Sequence, residues 1–344
     1  MKRFSYRYFI VMLLFLASCG GPDALVINNV YRDGSVDRKI ILTFNEDKFD
    51  LEACQVPVDS TWTITRKFDV SEKGDTTWTL TAEKHFDSVD MINMDYKTHP
   101  GVNKRMVRYA DFKKSFRWFT TTYSYREVVE GAIDGYPPSE YFTPGETDLF
   151  YMPESMIGEL LSGSDSTTVK ARVDSLELKK EDWLGASLVR SFVSEVAAFS
   201  KQGLFEEIDT SLILKNEKGL MMLLEEMEGD DYGIIDSLLG EGFYSDHHAI
   251  IDTAIAVVEE KLDVAFDADS YLVQFVMPGK LTETNGYIDS DSNILFEVDG
   301  DSMLAADFVM WARSEEVNEW AWIISFLFVL FVFLGLIRRR RRNR

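Results

Sequence analysis

The C-terminal stretch restricts this chain more than any other. Trp320-Ala-Trp322 opens an apolar run that carries no charge as far as Ile337, and six of the seven residues after it are arginine. An uncharged run of this length crosses a bilayer as a single helix. Tryptophans suit the interface at one end, and the arginine block prefers the cytoplasmic side at the other. The expectation is a transmembrane helix over 320–337, a cytoplasmic tail over 338–344, and everything before Trp320 outside the cytoplasm.

The other end carries a second address. Lys2, Arg3 and Arg7 precede the apolar Phe9 to Leu16, the pattern of a secretory signal peptide over residues 1–18. Leu16-Ala17-Ser18-Cys19 resembles a bacterial lipobox. That resemblance implies that Cys19 becomes the first mature residue and carries the lipid; an ordinary signal peptide or signal anchor is the alternative. Gly20-Gly21-Pro22 follows, and residues 19–30 read as a tether.

Charge narrows the function classes. The whole chain is at −22. Three of its 36 bases lie in the signal and six in the tail, neither of which holds an acid, so the exported part sets 27 bases against 58 acids, a net of −31. Such a surface repels nucleic acid and anionic headgroups, and it favours solubility, cationic partners and weak divalent-ion binding. With Cys19 lipidated, Cys54 is left without an intrachain disulfide partner and reads as a small buried hydrophobe.

Between the two ends the hydrophobic period changes twice. From Val36 to Phe86 it is two: Val36, Ile40, Leu42 and Phe44, then Trp62, Ile64, Phe68 and Val70, then Trp78, Leu80, Ala82 and Phe86 all fall on even positions. Alternation of this kind predicts half-buried strands. A hairpin loop at Ser71 to Asp75 would set Phe68 opposite Trp78 and keep the even residues on one face. Over Tyr109 to Val129 the aromatic face switches between Trp118 and Phe119, which predicts a bulge or sharp bend near Arg117 to Thr120, with two separate strands or a strand buried on both faces as the alternatives. Four of the eight prolines (Pro137, Pro138, Pro144 and Pro153) then form a rigid connector.

Helical spacing follows. Leu184, Leu188, Phe192, Val196 and Phe199 form one stripe, Leu220, Leu223, Leu224 and Met227 a second, and Ile251, Ile255, Val258 and Leu262 a third, capped by Ser245 or Asp246. Eleven acids and two lysines lie between Phe205 and Glu241, so the outer face there is strongly negative. The period returns to two from Tyr271, with turns at Pro278-Gly279, Asn285-Gly286 and Asp299-Gly300, and a last strand over Met303 to Ala312. Helices between two β blocks predict an α+β fold, an antiparallel β framework with a helical insertion. Its parts are an N-terminal β part (31–135), the connector and insertion (136–265) and a C-terminal β part of the same domain (266–319). The short link from Arg313 to Glu319 places the last strand beside the membrane. If Cys19 is lipidated in that membrane, the first strand also starts there and can pair antiparallel with the last.

Met277-Pro278-Gly279-Lys280, then Thr284-Asn285-Gly286, a short strand, a last strand, the apolar helix and the arginine tail together resemble the C-terminal module of LppM-type bacterial envelope lipoproteins, over Tyr271 to Arg344 plus Cys19. The resemblance implies a membrane-associated, β-rich module that binds a lipid or a partner, and it transfers no catalytic residue.

Candidate chemistry is sparse. Asp246-His247-His248 is the densest group of potential ligands, but neighbouring helical residues point about 100° apart and a capped helix start is the expectation. Asp289-Ser-Asp291-Ser-Asn293 imitates an EF-hand start, yet Ile294 and Gly300 stand where that loop needs Gly and Glu. Glu206-Glu207 and Glu225-Glu226 read as solvated helix faces, and the aromatics around Trp118 as filled core or, less simply, an apolar groove. No G-x-S-x-G, H-E-x-x-H, P-loop or dinucleotide fingerprint is present. The reading is therefore a doubly anchored envelope lipoprotein, held at the outer face of the cytoplasmic membrane by Cys19 acyl chains and the C-terminal helix. It would bind an envelope protein or lipid, with no catalytic residue, metal or cofactor expected. An envelope hydrolase with an unrecognised site is the alternative, and a sortase-type sorting tag is a further reading of the C-terminus.

Overall fold

Asp23–Val30, expected as the end of a tether, is instead strand β1, set inside the larger of two sheets. Its sequence explains this: Val26, Asn28 and Val30 alternate inward, all fully buried, and β-branched residues suit a pleated, covered surface. The computed structural model describes residues 23–44, 54–70, 76–99, 105–163, 166–202, 208–226, 233–266 and 268–342, without the side chains of 23, 222–226 and 233–234. The expected signal peptide, Cys19, Met227 and the Ser71 to Asp75 loop lie outside these residues.

The fold is mixed α+β. The larger sheet joins β1 to β2 (Val36–Phe44), β3 (Thr63–Val70), β4 (Thr76–Phe86), β7 (Tyr271–Val276), β9 (Tyr287–Ile288) and β10 (Ile294–Val298), in the order β3-β4-β2-β1-β7-β10-β9. The smaller one holds β5 (Arg108–Phe116), β6 (Thr120–Val129), β8 (Lys280–Thr284) and β11 (Phe308–Val317), in the order β5-β6-β11-β8. Every ladder is antiparallel except that of β1 with β7, where Leu25 lies opposite Leu272. The antiparallel pairing of first and last strands that the anchoring expectation permitted does not occur: β1 pairs in parallel with β7, and β11 belongs to the other sheet. Both sheets draw strands from both β blocks.

The expected parity holds in β2 and β4. Val36, Ile40, Leu42, Leu80, Ala82 and Phe86 are all buried in the core that both sheets share, and Phe68 lies opposite Trp78. It fails in β3, where every residue is exposed and Phe68 keeps 60 % of its surface. A four-stranded sheet does not cover a seven-stranded one, so the edge hairpin lies beyond its partner. Helix α1 (Val89–Thr98), unforeseen in the sequence, closes another edge. Its Asn93 side chain accepts the Ala110 N–H (2.7 Å) and donates to the Ala110 carbonyl (2.9 Å), doing for β5 what a further strand would do.

The aromatic switch at Trp118 and Phe119 is a hairpin tip and not a bulge. Two strands meet there, closed by Arg117 N–H to the Thr120 carbonyl at 2.8 Å. The expected Asn285-Gly286 hairpin is also something else: β8 and β9 lie in different sheets, and these residues are the corner between them. The Asn285 amide bonds the backbone of Val309 and Trp311 in β11, and a Cβ at Gly286 would stand 2.6 Å from the Phe296 ring. Close approach, not turn conformation, demands that glycine. Pro278-Gly279 makes the reverse crossing, with Gly279 at φ +78°.

The insertion holds α2 (Pro138–Tyr141), α3 (Pro144–Phe150), α4 (Glu154–Ser162), α5 (Ser166–Lys201), α6 (Thr210–Lys215), α7 (Glu217–Glu226), α8 (Gly233–Leu239) and α9 (Phe243–Phe266). The 36 residues of α5 extend roughly 54 Å. Its first part joins the sheet core through Leu176 and Trp183, and its second part builds a separate core from Val189, Val193 and Val196 with Ile213, Leu239, Ile250, Ile251 and Ala254. Helix α9 starts at Phe243, ahead of the expected cap, because the Asp236 carboxylate accepts the Tyr244 N–H at 2.7 Å. The last strand runs to Val317 instead of Ala312, so only Asn318 separates it from α10 (Glu319–Arg342), the one helix among the described residues long and apolar enough to cross a membrane.

Candidate functional site

The joint between β11 and α10 gathers directional bonds and aromatic contacts around one residue. Asn318 fixes it. Its N–H donates to the Phe119 carbonyl (2.9 Å), its side chain donates to the Arg117 carbonyl (2.8 Å), and Thr121 Oγ1 donates to its Oδ1 (3.0 Å). Its own carbonyl accepts the Ala321 N–H (2.9 Å), so one residue closes both the hairpin tip and the first turn of the helix. Aromatic side chains follow the same line. Phe116 stacks on Trp320 (6.1 Å, 5°), Trp118 meets Trp320 edge-on (5.3 Å), and Phe119 lies on Trp322 (4.4 Å). The Trp118 indole donates to Ser325 Oγ at 2.9 Å. Trp118 is thus neither core nor groove, contrary to both sequence readings; it is 47 % exposed at a hairpin tip.

One level above, Arg32 in the β1–β2 turn donates through Nε and Nη2 to Glu316 (2.9 and 2.6 Å), whose other oxygen accepts from Tyr123 (3.1 Å). This contact fixes the polarity of the larger sheet. The turn after β1 lies at the α10 end, so β1 itself begins at the opposite end.

Between the sheets sits a buried charge pair. Arg38 of β2 bonds Glu127 of β6, and also donates to Asn28 (2.7 Å) and Tyr96 (2.6 Å). Tyr125 and Tyr96 donate to the Glu127 carboxylate. Burial opposes the Arg38 charge, but Glu127 and the two tyrosines outweigh it and raise its pKa above the ordinary value. Burial in the same place pushes the Tyr96, Tyr125 and Tyr271 hydroxyls up. Apart from the Asn28 amide nitrogen, which finds no partner among the described residues, these groups bond one another and clamp the two sheets together.

Asp59, Asp95 and His99 come close enough together to hold a cation. Lys84 already sits there, 2.7 Å from Asp95 and 3.9 Å from Asp59. Burial raises the Asp59 pKa, but hydrogen bonds from Thr61 and the nearby Lys84 and His99 charges overcome it and leave the carboxyl below its usual range. The sequence-level candidates disperse. His247 packs on Phe243 (5.0 Å) while His248 faces the Ser245 carbonyl (3.1 Å), so the two imidazoles diverge. The Asp289 carboxylate accepts the N–H groups of Asp291 (2.9 Å) and Asn293 (2.8 Å), closing a turn in place of an ion. Cys54 is buried, its thiol pushed up by burial, as the small hydrophobe expected. Glu206-Glu207 lie outside the described residues, as do the side chains of Glu225 and Glu226. A cleft of about 320 Å³ opens between Arg105, Glu130 and α9. Its polar groups pair with neighbours: Arg105 with the Glu260 carbonyl (2.9 Å), Lys261 with Glu195 (2.5 Å).

The tip aromatics stand out in the sequence, but only the fold shows where they sit. The signal that could have found them is Phe116-Arg117-Trp118-Phe119 beside Trp320-Ala-Trp322, two aromatic groups of similar make-up. No family model matches the chain, and no curated protein does. A solved structure of similar arrangement is the folded domain of LppM from Mycobacterium tuberculosis, determined by NMR: 7 % identity over 86 % of this chain and 91 % of that one, with a TM-score of 0.25. At that identity and score the likeness carries no functional argument.

Proposed function

We propose that this chain is a membrane-anchored envelope lipoprotein that works as a non-catalytic binding or assembly module. The observation that carries the reading is α10: a helix with no charge from Trp320 to Ile337, ending in arginines and continuing from β11 through a single residue. The sheets form a stalk. Strand β6 spans ten residues, roughly 33 Å, from the tip at Thr120 to Val129, and the insertion leaves at the far end. An acidic helical head is thereby held away from the bilayer, where a partner can reach it. The partner would be an envelope protein or a lipid; the acidic surface disfavours nucleic acid.

The two proposed anchors constrain each other. Strand β1 begins seven residues before its turn, roughly 23 Å farther from α10. Gly20, Gly21 and Pro22 bridge only about 14 Å between Cys19 and Asp23. Acyl chains on Cys19 and α10 therefore share a membrane only if the sheet stack leans towards it.

Cysteine labelling in intact cells tests the anchoring. A position just before Trp320 is expected to react from outside and one after Ile337 only after lysis; labelling of the first from the cytoplasm would sink the reading. Mass analysis of both mature termini shows whether Cys19 is acylated and the arginine tail retained, since loss of the tail points to sorting. Purification from detergent-solubilised membranes is expected to bring a stoichiometric lipid or protein with the head.

A further inference from the structure

We infer that the β5–β6 hairpin tip is a second membrane-contact element: Phe116, Trp118 and Phe119 enter the interfacial layer of the same bilayer that α10 crosses. The inference rests on the membrane-spanning reading of α10 and goes beyond it, because nothing about a single spanning helix requires the folded domain to touch lipid.

The geometry leaves the tip little choice. Phe116, Trp118 and Phe119 expose 57, 47 and 39 % of their surfaces on one short turn. Large apolar groups clustered this way against water mark a contact surface. They cannot withdraw from α10, because Asn318 bonds the carbonyls of Arg117 and Phe119 and also caps the helix. Depth follows from the helix itself. Ser325 lies five residues beyond Trp320, about 7.5 Å along the axis at 1.5 Å per residue. The Trp118 indole that bonds Ser325 is thus at or below the level of Trp320, already inside the layer where tryptophan prefers to sit. That hydrogen bond also gives the indole N–H a partner where water is scarce.

The apolar run points the same way. Eighteen residues from Trp320 to Ile337 span about 27 Å, slightly less than the hydrocarbon core. A short span draws its first turn down to the interface and the attached tip with it. Charges agree with this placement. From Phe112 to Thr121 the chain has no acid and three bases, Lys113, Lys114 and Arg117, of which Lys113 also pairs with Asp111 at 3.3 Å. In a chain at −22 this is the segment suited to phosphate headgroups. Glu315, Glu316 and Glu319 stand nearby, but Glu316 is held by Arg32 and Tyr123, and Glu319 lies in the first turn of α10, where the helix dipole favours an acid. Two contacts, helix and tip, restrict rotation of the domain about the helix axis, which one helix alone would leave free.

The test uses the full chain reconstituted in phosphatidylcholine vesicles carrying bromine on the upper acyl chain, a contact quencher of tryptophan. In a Trp320→Phe, Trp322→Phe background the remaining emission is expected to stay partly quenched through Trp118. Adding Trp118→Phe is expected to abolish that quenching. All three changes keep an aromatic ring, and near-UV circular dichroism checks that the fold persists. If the native chain is quenched but the double variant is not, the tip lies outside the lipid and this inference fails with the anchoring intact. If the native chain is not quenched at all, α10 does not insert and both fall.

Discussion

The two ends of the sheet stack are held by different physics. At the α10 end, directional bonds and aromatic faces converge on one residue, Asn318, and the β1–β2 turn adds Arg32 to Glu316. At the far end, the insertion is joined mainly by apolar burial around Trp183, and its acids oppose one another. Glu154, Glu297, Asp299 and Asp301 cluster there, with Lys180 bonding Asp301 at 3.1 Å. The first joint keeps a fixed angle. The second can loosen without breaking the sheets.

The largest effect should come from the clamp that both ends share. Glu127→Leu leaves Arg38 buried without its counter-charge, a change that typically costs about 3–5 kcal/mol. Thermal melting in detergent should show the loss across the whole domain. Arg38→Met combined with Glu127→Leu should recover most of it, since well-packed apolar residues replace a buried pair at little cost. A single variant that melts like its parent would show that the pair does not hold the sheets together.

Trp183→Ala should divide the two ends. The ring is 1 % exposed, packs on Phe142 and Phe150, and donates to the Tyr136 carbonyl at 2.7 Å. Its loss should cost about 3 kcal/mol, read by hydrogen exchange as faster opening of α5 and α9 with β2, β6 and β11 still protected. Equal loss in the sheets would mean that the ends are one cooperative unit.

How legible this is in the sequence depends on what buries each residue. Period-two strands from Val36 and the stripe of Ile251, Val258 and Leu262 are readable because one face meets one layer. Strand β1 passes for a tether because Gly20-Gly21-Pro22 masks the short apolar run behind it. Helix α1 buries only Ile92 and Tyr96 of its apolar residues and leaves Met91 and Met94 exposed, so no clean stripe announces it, and its role is polar, an Asn93 side chain completing a strand edge. Asn285-Gly286 passes for a hairpin because a hairpin and a sheet-to-sheet corner both favour those residues, and only the position of β9 tells them apart. The α10 joint needs two segments about two hundred residues apart to be brought together, which no local pattern reports. Both members of the Arg38–Glu127 pair lie at inward strand positions, but which charge meets which is a matter of tertiary register.

A pH series sharpens the far joint. Burial and the neighbouring Asp301 charge push the Asp299 carboxyl up to about 7, although the Ser302 N–H donates to it at 2.7 Å. The sign follows from the proton. The folded chain holds it more tightly than the unfolded one, so ionisation works against folding. Stability is full below about pH 4, falls as pH rises towards 7, and is flat above. Each tenfold change in proton affinity is worth about 1.4 kcal/mol, so the rise from 3.8 to about 7 sets a ceiling of about 4 kcal/mol on the loss. Asp299→Asn keeps the Ser302 bond and should melt higher than the parent at pH 8 but equally at pH 4. A difference that does not change with pH would show that packing, not charge, governs the joint.

The smallest effect concerns Asp59, Asp95 and His99. Lys84 brings a positive charge to within 2.7 Å of Asp95, and its ammonium lies over the Phe86 ring at 4.9 Å, so a divalent ion would have to displace a group already favourably placed. Millimolar calcium should therefore leave the melting temperature of the native chain unchanged against sodium chloride of equal ionic strength. Lys84→Met removes the resident charge and leaves two carboxylates facing an imidazole. That variant should gain a calcium-dependent rise in melting temperature, and His99→Ala in the same background should reduce manganese stabilisation more than calcium stabilisation, because calcium prefers oxygen ligands. A calcium-dependent rise in the native chain would instead make this cluster a cation site on the sheet stack, apart from both of its ends.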